Sequence, residues 1–130
     1  MLREIFALLL GVAFLTNVAA QGYAAGTTAV ERAQLPTYCY PQYVDSKLAQ
    51  QPGYSIPRSC GVAMNHFCPG LIYLIRARKA SDPPNIRRDN ANRAITDINY
   101  TLRGMPKECP LRADAEAALA RAKSIANTAR

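Results

Sequence analysis

The chain has one histidine, His66, and no tryptophan among its 130 residues. Any histidine-based mechanism must therefore use His66. There is no Cys-x-x-Cys, so a thioredoxin-type redox enzyme is not expected. There is no Gly-rich phosphate loop and no His-Glu-x-x-His zinc motif. Asp89 and Asp97 are too far apart in sequence to be read as a catalytic pair. No run of alternating apolar and polar residues reads as a strand. Acidic residues are the minority charge, 9 against 16 basic, for a net charge of +7. These absences argue against an enzyme and predict an all-α chain without a cofactor.

Long apolar runs are also scarce. The longest, Ile5 to Leu15, spans 11 residues, well short of the ~20 a membrane-crossing helix needs. Arg3 precedes it, and Val18-Ala19-Ala20 follows with small residues where a signal peptidase reads. The pattern predicts a secretory signal peptide over residues 1–20, cleaved after Ala20, and a periplasmic or secreted protein. Losing Arg3 together with Glu4 leaves the net charge unchanged.

Export gives the four cysteines, Cys39, Cys60, Cys68 and Cys109, their meaning. An even count in an oxidising compartment implies two disulfides, and four cysteines allow three pairings. The alternative use is a three-ligand metal or haem site, or a thiol-redox centre, built from Cys60, His66 and Cys68.

Residues 21–34 are small and polar and read as a flexible lead-in. Residues 35–60 interleave Tyr38, Tyr40, Tyr43 and Tyr54 with Pro36, Pro41, Pro52 and Pro57. Prolines at that density forbid a long helix or a central strand, so this is an irregular arm with one short helix over Gln42 to Gln51. Residues 61–130 are a helical domain. A first helix is predicted over Pro69 to Ala80, with Phe67, Leu71, Leu74, Ile75 and Arg78 on one face and Pro69 in its first position. A turn over Gly61 to Phe67 meets it at a kink. A second helix is predicted over Ile86 to Arg103, burying Ala91, Ala94, Ile95, Ile98 and Leu102. Gly104 is expected as the left-handed residue past its end, with Pro106 blocking continuation. A third helix, Pro110 to Asn127, buries Leu111, Ala115, Ala118, Leu119, Ala122 and Ile125, with an Arg112–Glu116 pair one turn apart.

Gly70-Leu71-x-Tyr73 and Ala94-x-x-Asp97-Ile98-x-x-Thr101-x-x-x-x-Pro106 resemble the tetratricopeptide repeat, a helix–turn–helix unit of about 34 residues. In that resemblance Gly70 and Ala94 are the small residues where the helices touch. Tyr73, Ile98, Leu102 and Pro106 complete the packing positions, and the third helix is a cap. Tyr38-Cys39, His66-Phe67-Cys68-Pro69-Gly70-Leu71 and Ala94-Ile95-Thr96-Asp97-Ile98 are similar to exported bacterial proteins of tetratricopeptide type. The resemblance implies protein–protein contact and no catalytic residues. About one and a half units are present, and solenoid units usually need three or more to bury a continuous core. A disulfide closing a loop of about 30 residues, such as Cys39 to Cys68, would contribute roughly 3–4 kcal/mol and pin the arm to the hairpin. Cys60 with Cys109 then remains, joining the starts of the first and third helices at one end of the stack.

Arg76, Arg78, Lys79, Arg87 and Arg88 flank the inter-helix loop and form the candidate partner-binding cluster. The expected partner is another envelope protein, acidic in character, with an anionic membrane surface and a homodimer as further candidates. Nucleic acid would ask for aromatic residues among these charges, and only Tyr73 is near.

Overall fold

The computed structural model describes residues 26–130; the signal-peptide reading and the first part of the lead-in lie outside them. Every regular element among the described residues is helical.

The expectation of a flexible lead-in does not extend to its second half, where α1 spans Ala29–Ala33. A capping box starts it: the Thr28 hydroxyl accepts from the Glu31 amide, and the Glu31 carboxylate accepts from the Thr28 amide. The Thr-x-x-Glu signature is in the sequence, but the surrounding small residues mask it. The arm follows with a 3-10 turn at Thr37–Cys39 and α2 at Tyr40–Tyr43. The short helix thus begins earlier than Gln42, with Pro41 inside its first turn. The rest of that segment is a 3-10 turn, Ser46–Gln50, capped by the Asp45 carboxylate.

Two 3-10 turns, Arg58–Cys60 and Val62–His66, lead into α3, Phe67–Ala77. Pro69 is the third helical residue rather than the first. This loses no hydrogen bond, because the opening amides of a helix have no acceptor within it. The preceding turn is 3-10 as well, so the Asn65 carbonyl is not the α-helical partner of position 69. Burial of α3 exceeds one stripe. Cys68 and Ile72 are covered by Leu35 and Cys39 of the arm, while Phe67 and Leu74 belong to the main core. Leu71 and Ile75 are only half-buried, and Arg78 is exposed.

Helix α4, Pro84–Gly104, returns antiparallel to α3: Gly70 meets Ile98, and Thr101 meets Ala63. It buries Ala91, Ala94, Ile98 and Thr101, with Ile95 and Leu102 half-buried beside them. Gly104 is a correction. It is the last helical residue and its φ is not positive. It is glycine because a Cβ there would lie 2.6 Å from the Ala63 Cβ. The turn bearing Ala63 approaches the α4 backbone too closely for a side chain. Helix α5, Arg112–Thr128, starts two residues beyond Pro110 and packs Ala115, Ala118 and Ala122 inward. The Arg112–Glu116 ion pair spans 3.0 Å, and Arg112 also donates to the Met105 carbonyl at 2.9 Å.

Two disulfides close the fold. Cys39–Cys68 ties the arm to α3, and Cys60–Cys109 ties the turn before α3 to the turn before α5. Both α3 and α5 therefore start at the end where α4 finishes.

Candidate docking groove

The face of α3 that periodicity marks out both packs into the core, through Phe67 and Leu74, and forms the floor of a groove. Phe67, Leu71, Leu74, Ile75 and Arg78 line one side, and Asp114, Ala117 and Arg121 of α5 line the other. The arm walls it with Gln34, Pro36 and Tyr38, enclosing about 220 Å³. Tyr38 stacks on Phe67, with ring centroids 6.3 Å apart. Burial, with Asp114 nearby as a lesser cause, pushes the Tyr38 hydroxyl up to about 12. It stays a neutral donor at any physiological pH.

Arg78 donates to the Gln34 side-chain oxygen at 3.3 Å. Among the described residues neither Arg78 nor Arg121 has a carboxylate within ion-pair distance. Past Arg78 a second depression of about 420 Å³ continues the groove, lined by Val30, Glu31, Arg76 and Lys79 and sharing Gln34, Ile75 and Arg78 with the first. Val30 is 71% exposed there, an apolar side chain set among cations.

The predicted basic cluster divides. Arg76 turns to α1, donating from Nε and a terminal nitrogen to the two Glu31 oxygens at 2.8 and 3.3 Å. That hydrogen-bonded pair holds the Glu31 carboxyl below its usual range, against the opposing effect of burial, and raises Arg76. Arg87 turns inward and donates to the Ala77 carbonyl at 3.1 Å, satisfying one of the orphan carbonyls at the end of α3. Lys79 pairs with Asp82 at 3.3 Å. Arg88 is exposed on α4, outside the groove lining. Of the five, Arg76, Arg78 and Lys79 reach the groove system. Arg121 joins them there. The sequence did carry a signal for it, since Asp114, Ala117 and Arg121 recur at helical spacing beside the buried alanine stripe.

The packing positions are close-set. A Cβ on Gly70 would lie 2.8 Å from Ile98 Cγ1, and Ala94 is fully buried. Tyr73 lies under two guanidiniums, Arg76 at 5.9 Å and Arg93 at 5.7 Å. Pro106 packs against Gly61, whose positive φ of 76° leaves its own Cβ position 3.3 Å from the proline ring.

The alternative metal or thiol-redox set does not assemble. Cys60 and Cys68 are each bound to a different cysteine, so neither offers a thiolate beside His66. His66 instead donates from Nδ1 to Asp97 Oδ1 at 3.0 Å and leans on Tyr100, ring centroids 4.2 Å apart. That contact fixes the start of α3 against α4. Comparison with protein families, curated proteins and solved structures finds no match to this chain.

Proposed function

We propose that the protein is a non-enzymatic docking module of the periplasm or secreted space, which holds a partner protein in the groove between its arm, α3 and α5. The observation that carries this reading is the groove itself: an apolar floor in which Leu71 and Ile75 stay half-exposed, edged by Arg78 and Arg121, which have no carboxylate within ion-pair distance among the described residues. Exposed cations beside solvent-accessible apolar surface suit a protein ligand, since the apolar contact supplies affinity and the charges supply orientation. Two disulfides are compatible with an oxidising compartment, and no helix of the described residues is long and apolar enough to cross a membrane.

The tetratricopeptide-type arrangement belongs to the same proposal. In it, α3 and α4 are one helix–turn–helix unit and α5 is the first helix of a capping half-unit. The close approach of Gly70 to Ile98 and the common direction of α3 and α5 support it. Solenoids present concave surfaces to their partners, and here the surface is short and narrowed by the disulfide-pinned arm.

A photo-crosslinking residue at Ala117, inside the groove, tests the reading against one at Arg58 outside it. Ala117 should yield a discrete adduct from envelope extract that Arg58 does not, and the joint change of Arg78 and Arg121 to Glu should remove it. Equal adducts from both positions, or none from Ala117, would reject the groove as the docking site.

A further inference from the structure

The groove is electrically polarised along its length, and this specifies its occupant. Asp114 and Arg121 stand on the same face of α5, seven residues apart, a rise of about 10 Å. Asp114 lies at the end where Tyr38 stacks on Phe67. Arg121 lies toward the other end, since α3 and α5 run in the same direction and Arg78 follows the last residue of α3. The surface between them is apolar, from Leu71 and Leu74.

From this arrangement we propose, building on the docking reading above, that the groove takes an extended internal segment of a partner protein. That segment carries a Lys or Arg, then an apolar residue, then an Asp or Glu about three positions after the cation. In the extended polyproline II conformation three residues advance about 9 Å and return the side chain to the same face, matching the separation of the two charges. The cation faces Asp114, the apolar side chain rests on Leu71 and Leu74, and the acid meets Arg78 and Arg121. The segment is internal rather than a chain end because the groove does not stop at Arg78. It runs on into the second depression, where Val30 and Lys79 offer another apolar and another basic position.

The proposal is tested with the oxidised protein and three labelled peptides of equal length. One bears Lys, Leu and Glu in the stated spacing. The second has Lys in both charged places, and the third has Glu in both. Binding is followed by fluorescence anisotropy and by shifts of the Ala117 amide in NMR titration. The mixed peptide should bind more tightly than either single-sign peptide, by about fivefold for each charge pair lost, the upper end for exposed pairs. Changing both Arg78 and Arg121 to Glu should transfer the preference to the two-lysine peptide; both side chains are exposed, and unchanged circular dichroism verifies the fold. Equal affinity for all three peptides would overturn the charge order while leaving the groove a docking surface. Absence of Ala117 shifts with every peptide would overturn both.

Discussion

Replacing Gly104 with alanine distinguishes two reasons for a glycine at the end of α4. If it were needed for a left-handed backbone, asparagine would be the best-tolerated substitute. In the structure its φ is helical, and the constraint is the 2.6 Å separation a Cβ would have from Ala63 Cβ. Neither atom is the end of a flexible side chain, so about 1 Å of relief must come from the backbone. The Val62–His66 turn is held on both sides, by the Cys60–Cys109 disulfide and by the Thr101 hydroxyl on the Ala63 carbonyl at 3.2 Å. Overpacking of this kind costs about 1–3 kcal/mol, and the better helix propensity of alanine returns at most about 1 kcal/mol. Gly104→Ala should therefore lose about 1–2 kcal/mol, or roughly 5–15 °C in Tm for a domain of this size. Gly104→Asn should lose more. Ala63→Gly alone should cost up to about 1 kcal/mol through added chain freedom. In the double variant the clash is gone, so it should be at least as stable as Ala63→Gly alone. Urea unfolding of the four proteins yields the coupling energy. Additivity within about 0.5 kcal/mol, together with asparagine tolerated better than alanine, would refute the steric account.

Other perturbations follow from the same contacts. Replacing Cys39 and Cys68 by alanine should cost about 3–4 kcal/mol, and replacing Cys60 and Cys109 about 4 kcal/mol, because the second pair closes the longer loop, 49 residues against 29. The first variant should lose hydrogen-exchange protection mainly in residues 35–60; loss spread evenly over α4 and α5 would contradict the division of the two cores. Glu31 has its pKa lowered in the fold by Arg76, so its pair stabilises above the unfolded value near 4.5 and that stability fades as pH falls through the folded value. Glu31→Gln should cost about 1 kcal/mol at pH 7 and nothing at pH 2, read by paired urea titrations; an equal deficit at both pH values would rule out the ion pair as its source. Thr101→Val should cost about 1 kcal/mol by removing a buried hydroxyl shared between the Ala63 and Asp97 carbonyls, and a neutral urea-unfolding result would show that this hydroxyl adds nothing to the contact of α4 with the turn before α3.

The sequence by itself determined the class of the fold and most of its helices. Apolar residues at helical spacing, without strand alternation, admit nothing but helices, and Pro83 with Pro84 places the break between α3 and α4. Spacing alone allows all three cysteine pairings, and it is the tertiary contacts that join Cys39 to Cys68 and Cys60 to Cys109. The capping box at Thr28 was legible but hidden in a composition that reads as loose chain.

What periodicity could not separate is a buried face from a lined one. Phe67, Leu71, Leu74, Ile75 and Arg78 form one stripe on any helical wheel. Whether that stripe meets core or open groove depends on where the arm and α5 come to rest. The arm, drawn in by Cys39, covers Ile72 on the neighbouring side, while Leu71 and Ile75 pack at its edge and stay half-exposed. Charges behave likewise. Arg76, Arg78 and Arg87 are alike in sequence. Tertiary structure alone assigns Arg76 to Glu31, 45 residues away, and Arg87 to the end of α3, while Arg78 is left beside Arg121 at the groove. Local sequence determines which residues share a face, because that is set by 1.5 Å and 100° per residue. Which faces meet, and which remain open to a partner, is settled by contacts between residues far apart in the chain.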